Sequence, residues 1–280
     1  MVIDSHVHIG DSLGFIMKEE TVIESMEKYN IDYCIISNAD AAELDHELKV
    51  IPEEYQIDQV TALKRSLDFA RKYPNKIGVL VWLKPRLEGL TDELIEILEE
   101  NLDIIFGLKL HQHHSRTGMD DESMVPYIEF ARKHNLPIMA HTGGCEEAGC
   151  IRVWNAAKKY PDVKFIMAHM GLGTDNEEAI KLLGTLPNLY GDTAWVSIES
   201  TIKAMKEAGA DKMLFGSDSP IDGVDTYHCN GYGEPSVYQK YFNELESIIG
   251  KEDYDKLMYK NVLKMYPNIP LDAIISNKSK

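Results

Sequence analysis

Apolar residues occur along the chain in two alternating patterns. Short continuous apolar runs, such as residues 77–83, are typical of parallel strands that are buried on both faces. Longer stretches between them carry apolar residues every three or four positions, which predicts amphipathic helices. We assign eight runs as strands: residues 1–10, 31–37, 77–83, 104–111, 137–141, 163–169, 188–193 and 212–218.

The helical pattern recurs between these strands and after the last one. The predicted helices are residues 19–30, 60–70, 91–98, 122–135, 153–160, 177–186, 198–208, 238–249 and 254–266. Strand and helix alternate without a break in composition, which predicts one (β/α)₈ TIM barrel domain over residues 1–280. The polar tail at 267–280 is expected to fray. An open doubly wound sheet is the alternative, but its glycine fingerprint after the first strand is missing.

Two connections are longer and more polar than the rest. Residues 38–55 are acidic and too long for a tight turn, so we expect a lid or an added helix there. Residues 219–233 are rich in glycine and aspartate. We expect substrate specificity to reside in these two loops.

The first strand carries the clearest chemical signal. His6 and His8 are two positions apart, so both side chains lie on one face of a strand. Two neighbouring imidazoles can share one ion, which predicts half of a metal site. The alternative is a pair of surface histidines near the terminus. Asp4 lies on the same face and is expected to bond one of the ligating rings.

Polar residues also end the later strands. In such barrels the active site is built at the carboxyl ends of the strands, so these side chains are expected to converge. They are Lys109 and His111 on strand four, His141 on five, His169 on six and Asp218 on eight. Several imidazoles and a carboxylate on one axis would make a poor core and a good metal site.

Charge and cysteine content limit the classes of binding partner and the cellular location that we expect. The chain has 46 acidic and 29 basic residues, a net charge of −17, which argues against nucleic acid or an anionic membrane as partner. A small anionic substrate needs only one or two local cations. The four cysteines are scattered and no secretory signal is apparent, so we expect free thiols and a cytoplasmic location. A homo-oligomer is left open.

The set of strand-end residues resembles the amidohydrolase superfamily of metal-dependent hydrolases. The resemblance rests on His6-Val7-His8, on His141 and His169, and on the segment 216–220, Gly-Ser-Asp-Ser-Pro. Residues 73–76, 107–111 and 261–263 are similar to the branch called amidohydrolase-2, which includes decarboxylases and lactone hydrolases.

The resemblance implies a role for each residue. His6, His8 and Asp218 would hold a divalent ion, and His141 would complete that site or bind a second ion. His169 would bind a second ion or act on the substrate. Lys109 matches a position that is a carboxylated, bridging lysine in binuclear relatives. We favour one ion, most simply Zn²⁺, on His6, His8, His141 and Asp218, with His169 catalytic.

The favoured reaction is hydrolysis of an amide, lactone or ester-like carbonyl. Asp218 would orient a metal-activated water and take its proton, because bound zinc lowers the pKa of water from about 15.7 to about 7. His111 and Arg152 are the candidate substrate contacts. The alternative is a non-hydrolytic decarboxylase of a small unsaturated acid. A metal-dependent deoxyribonuclease is disfavoured by Lys109, where that relative has glutamate, and a barrel that only binds ligand is a fourth possibility.

Overall fold

The fold is a barrel of eight parallel strands that neighbour one another in chain order. A computed structural model describes residues 1–11, 16–45, 47–220, 225–229 and 233–278. The strands are β1 (Ile3–Ile9), β2 (Tyr33–Asn38), β3 (Ile77–Trp82), β4 (Ile105–Leu110), β5 (Ile138–Gly143), β6 (Phe165–Leu172), β7 (Leu189–Asp192) and β8 (Met213–Leu214). The (β/α)₈ fold expected from the sequence is confirmed.

The barrel is closed by the chain that follows β8. This strand has only two residues, although the sequence predicts a strand to residue 218. The chain beyond it nevertheless bonds to β1: Ser5 N donates to Phe215 O at 3.0 Å, Asp218 N to His6 O at 2.8 Å and His8 N to Ser219 O at 2.7 Å. These bonds bring the last strand beside the first.

Helices cover the outside of the barrel. They are α1 (Glu19–Tyr29), α2 (Gln59–Lys72), α3 (Asp92–Glu100), α4 (Gln112–Ser115), α5 (Val125–His134), α6 (Cys150–Lys159), α7 (Glu177–Leu183), α8 (Ile198–Ala208), α9 (Val237–Asn243), α10 (Leu245–Ile249), α11 (Lys251–Asp255), α12 (Asn261–Met265) and α13 (Leu271–Lys278). Asp58, Thr91 and Ser197 cap α2, α3 and α8 by accepting a backbone N–H. No helix in the described ranges is both long and apolar enough to cross a bilayer.

Strand alternation separates two apolar layers. On β5, Ile138 and Ala140 belong to the layer between the barrel and its helices, and Met139 belongs to a second cluster inside the barrel. The inner cluster also includes Phe106 and Ile166 from neighbouring strands. The inside of the barrel is therefore filled by side chains, as the fold requires.

The C-terminal segment differs from the expected frayed tail. Residues 271–278 form helix α13, and Ile269 and Ile274 are buried with Ile3 and Tyr266 in the inner cluster. These apolar side chains cover the amino-terminal end of the strands. The tail was expected to fray because its composition is mostly polar, but Ile269 and Ile274 pack against the barrel.

The described residues of the long loop after β2 form no added α-helix. It has short 3₁₀ turns at Ala39–Ala41 and Glu53–Tyr55. Leu44 N donates to His114 O at 2.9 Å, and the ring of His114 bonds Leu44 O at 3.0 Å, so the loop is tied to the end of β4. Of the second long loop, residues 221–224 and 230–232 lie outside the described part.

Candidate metal centre

The histidines of β1 reach the mouth of the barrel through strand alternation. Val7 and Ile9 pack in the outer layer, so His6 and His8 point the opposite way, into the barrel. Both imidazoles are buried, with 1% and 6% of the residue exposed. The expectation that these two rings share one face is confirmed.

His6, His8 and Asp218 meet at one point. His6 Nε2 lies 3.1 Å from His8 Nε2 and 3.1 Å from Asp218 Oδ1, and His8 Nε2 lies 3.0 Å from the same oxygen. Two ligands that each lie about 2.1 Å from one ion are separated by about 3.0–3.4 Å at bond angles of 90–109°. The spacing of the three atoms therefore fits a shared divalent cation.

His169 extends this group from β6. Ligand atoms of His6, His169 and Asp218 all lie within 4.8 Å of one another. Strand alternation alone would turn His169 outward, since Ile166 and Ala168 already point inward. His169 and Met170 adopt left-handed backbone, with φ of 65° and 48°, which redirects the ring.

Hydrogen-bond partners determine which ring nitrogens are free. His6 Nδ1 lies 2.6 Å from Asp192 Oδ2, and His169 Nδ1 lies 3.1 Å from Ala194 O. Both partners can only accept, so we assign the proton of each ring to Nδ1. Each Nε2 then carries a lone pair, as a metal ligand must.

His141 from β5 lies beside this group. Its ring stacks on His111 with centroids 4.0 Å apart, and its centroid lies 4.7 Å from that of His169. Its Nδ1 is buried and has no hydrogen-bond partner among the described residues. A buried unpaired nitrogen costs about 1–3 kcal/mol, and a cation would satisfy it. His141 is therefore a further candidate ligand beside the centre.

Lys109 is fully buried next to His6. Its Nζ lies 2.7 Å from His6 Nε2. Burial lowers the pKa of Lys109 to about 8, against the opposing fields of Asp218 and Asp192. The lysine expected near the ions is thus in contact with one of the ligating rings.

Burial and neighbouring charges act differently on the groups of the site. The pKa of His6 is raised, because Asp192 and Asp218 outweigh burial and Lys109. Burial lowers the pKa values of His8 and His169 to about 4 and that of His141 well below its usual value. The pKa of Asp218 is well below its usual range, because His169, His6 and His8 outweigh the effect of burial. Neutral imidazoles beside an ionised carboxylate are the donors that a divalent metal requires.

A cavity of about 240 Å³ opens beside these groups. Its described lining is His8, Met17, Ala39, Trp82, His111, His113, His114, His141, Gly144, Leu172 and Asp218. Trp82, His111 and His141 form a row of nearly parallel rings. No lysine or arginine is among these lining residues, so a bound anion would depend on a metal ion for positive charge.

Two residues have partners other than the expected ones. Arg152, predicted to meet a substrate carboxylate, instead pairs with Asp120 at 2.6 Å and Asp121 at 2.5 Å, and it is not among the lining residues. Asp4 bonds no ring: its carboxylate accepts from His6 N at 3.1 Å, from Ser217 and from the hydroxyl of Tyr227. The prediction for Asp4 was wrong because the register of β1 shifts between Asp4 and Val7. The substrate contact of Arg152 stays a prediction, although its ion pairs lie away from the lining residues.

Two contacts were missed by the sequence reasoning. Trp195 Nε1 donates to Asp218 Oδ2 at 2.9 Å, and Asp192 holds the ring of His6. Asp192 ends β7, so the same rule that selected the other strand-end residues would have found it. Nothing in the sequence pattern connects Trp195 with Asp218, because Trp195 lies in a turn with φ of 57°.

The sequence pattern of the amidohydrolase family matches residues 3–267. The chain belongs to the amidohydrolase family. This confirms the resemblance drawn from the strand-end residues, and with it the expectation of an enzyme in this metal-dependent family. No protein with a curated description matches the chain.

Solved structures share the fold at low identity. A 5-carboxyvanillate decarboxylase from Novosphingobium aromaticivorans with bound manganese has a TM-score of 0.73 and 12% identity, covering 95% of this chain and 97% of its own. A 2,6-dihydroxybenzoate decarboxylase in complex with 2,6-dihydroxybenzoate has a TM-score of 0.70 and 16% identity, covering 95% of this chain and 99% of its own. A 4-oxalomesaconate hydratase from Rhodopseudomonas palustris has a TM-score of 0.69 and 17% identity, covering 100% of this chain and 99% of its own.

Proposed function

We propose that the protein is a divalent-metal-dependent decarboxylase of a small unsaturated or aromatic carboxylic acid. The observation that carries the proposal is the cavity beside the candidate metal ligands, whose described lining has no lysine or arginine and consists of imidazoles, apolar residues, Gly144 and the carboxylate of Asp218. A carboxylate entering it would find its positive charge in the metal ion. Two of the similar solved structures are decarboxylases of aromatic acids, so this reaction has more support than the hydrolysis favoured by the sequence.

The ion would be held by His6, His8 and Asp218, with His169 and His141 as the remaining candidate ligands. When bound, it would supply a positive charge that orients the carboxylate and favours electron withdrawal from the adjacent carbon. Manganese is the ion in similar decarboxylase structures, whereas the zinc preference remains a prediction from sequence.

The protein's own residues would orient the acid and move one proton. The parallel rings of Trp82, His111 and His141 offer a flat wall for an unsaturated substrate. The bond between the carboxyl group and its carbon breaks, the electron pair stays on that carbon, and a proton from solvent replaces the departing carbon dioxide. Asp218 is the carboxylate that would carry this proton, since it is ionised and lines the cavity.

The test is carbon dioxide release by the protein loaded with Mn²⁺ or with Zn²⁺. A panel of hydroxybenzoates, 5-carboxyvanillate and unsaturated dicarboxylates is incubated with each form. We expect release that disappears on chelation and in Asp218→Asn. Parallel assays follow acid production from lactones and amides, and loss of absorbance of conjugated acids. Acid production without carbon dioxide would support hydrolysis instead, and loss of conjugation alone would support hydration.

A further inference from the structure

Asp192 is the buried carboxylate at the end of β7, and it contacts two histidines of the candidate centre at once. Its Oδ2 lies 2.6 Å from Nδ1 of His6. Its Oδ1 accepts from the backbone N–H of His169 at 2.8 Å and of Ala194 at 3.2 Å. Asp192 is 0% exposed and is not itself in the group of converging ligand atoms.

The contact with His6 decides which nitrogen of that ring is free. A carboxylate can only accept, so the ring must donate from Nδ1 and present the lone pair of Nε2 to the centre. Without this partner the ring could adopt the other tautomer, in which Nε2 carries a hydrogen and cannot bind a cation. Carboxylate partners of this kind also raise the basicity of a ligating imidazole.

The contact with His169 holds a costly backbone conformation. Left-handed backbone costs a residue other than glycine roughly 1–2 kcal/mol, and His169 has φ of 65°. The bond from His169 N to Asp192 Oδ1 and the bond from the ring to Ala194 O both depend on the turn that Asp192 organises. In this conformation the ring faces His6 and Asp218.

We propose that Asp192 is a positioning residue of the metal site, which sets metal affinity by fixing the tautomer of His6 and the backbone of His169 together. The inference rests on the proposed metal site, and it is independent of which reaction the protein catalyses. Asp192 touches neither the cavity nor the converging ligand atoms, so its effect passes through the two histidines.

The test compares Asp192→Asn with a matched control, Asp4→Asn. Asparagine has one acceptor oxygen, so it cannot satisfy both the ring of His6 and the backbone of His169. Asp4 is equally buried and lies two residues from His6, but it contacts the backbone of His6 and no histidine ring. We expect the Kd for Mn²⁺, measured by calorimetry, to rise about 10–100-fold in Asp192→Asn and by less than about threefold in Asp4→Asn.

A second measurement remains decisive even if Asp192→Asn does not fold. Long-range ¹H–¹⁵N correlation spectra of the metal-free wild type, assigned with His6→Gln, report the tautomer of His6. At a pH above the raised pKa of His6, where the ring is neutral, we expect the Nδ1–H form. An Nε2–H form, an unchanged Mn²⁺ affinity in folded Asp192→Asn, or equal losses in the two variants would each overturn the proposal. Both readouts are independent of turnover, so failure of the decarboxylation assay leaves this test intact.

Discussion

The mouth of the barrel uses two ways of presenting a ligand. His8 on β1 and His141 on β5 reach the centre by regular strand alternation. His169 and Asp218 lie on left-handed backbone, with φ of 65° and 64°. Regular strands position a side chain without extra cost, whereas the left-handed residues need partners that hold them.

Those partners are specific to each left-handed residue. Asp218 N donates to His6 O at 2.8 Å, and its carboxylate accepts from Trp195 Nε1. His169 N donates to Asp192. The comparison teaches that half of the centre is encoded by the strand pattern and half by long-range bonds to other strands and turns.

Removing the carboxylate of Asp218, one of the two ligands on left-handed backbone, should have the largest effect on metal affinity. Asp218→Asn would leave His6 and His8 without the anion that faces both, and breaking such a buried charged contact costs about 3–5 kcal/mol. We expect Mn²⁺ affinity to fall about 10²–10⁴-fold in calorimetric titrations, with an unchanged circular dichroism spectrum. Asp211→Asn, an exposed carboxylate paired with Lys264, is the control and should bind like the wild type. Retained affinity in Asp218→Asn would remove it from the centre.

Glu43 sharpens the comparison, because it is a buried carboxylate without an imidazole partner. It is 1% exposed, and among the described residues its carboxylate accepts from Arg86 N and Leu87 N alone, at 2.9 and 2.6 Å. Burial raises its pKa to about 7, although the two N–H groups oppose the shift. The pKa of Asp218 moves the opposite way because imidazoles face it.

The raised pKa of Glu43 should make stability depend on pH. A group whose pKa is raised by folding stabilises below its unfolded value, near 4.5, and this contribution is lost as pH rises through about 7. Between pH 4.5 and 8 the wild type should lose about 3 kcal/mol of unfolding free energy more than Glu43→Gln does, as measured by urea unfolding. Parallel pH curves for the two proteins would contradict this assignment.

The pH dependence of metal binding tests the part of the centre that regular strands present, through Lys109. A protonated Lys109 donates to His6 Nε2 and repels a cation, so metal binding should displace its proton. Since the pKa of Lys109 is about 8, we expect Mn²⁺ affinity to rise about tenfold from pH 6.5 to pH 8, and less steeply in Lys109→Met. The measurement is calorimetric titration at each pH. Equal slopes would show that another group releases the proton.

The smallest effect on unfolding free energy and metal affinity is expected for a left-handed residue that lies outside the candidate metal centre. Asn135 ends α5 with φ of 53° and is exposed. Asn135→Ala should cost about 1 kcal/mol in urea unfolding and Asn135→Gly only a few tenths, because glycine adopts this conformation without strain. Metal affinity should be unchanged in both. Weaker Mn²⁺ binding in either Asn135 variant would contradict this expectation. Left-handed backbone alone would then not explain the difference between the ligands on regular strands and the ligands on left-handed residues.

Much of this arrangement could be predicted from the sequence, and the reason is periodicity. His6, His8, Lys109 and His141 lie on strands whose alternation is visible in the apolar residues around them. The fold followed from the repeated order of strand and helix. His169 and Asp218 were found as polar residues at the ends of strands six and eight, although alternation would have turned the ring of His169 outward.

The remaining contacts depend on distances that no local pattern contains. Arg152 looked free in the sequence, but α6 carries it to Asp120 and Asp121. Trp195 reaches Asp218 from a turn after β7. Such pairings are decided by how loops cross the mouth of the barrel, and loops lack the period that identifies strands and helices.

The backbone bonds that join β1 to residues 215–219 have a consequence for biosynthesis. The first strand leaves the ribosome more than 200 residues before the segment that completes its ladder. Until then one edge of that strand is unpaired, and His6 and His8 have no carboxylate from the closing segment. A nascent chain interrupted before residue 218 would carry both histidines without an assembled centre, so cation loading is expected only after nearly the whole polypeptide has been synthesised.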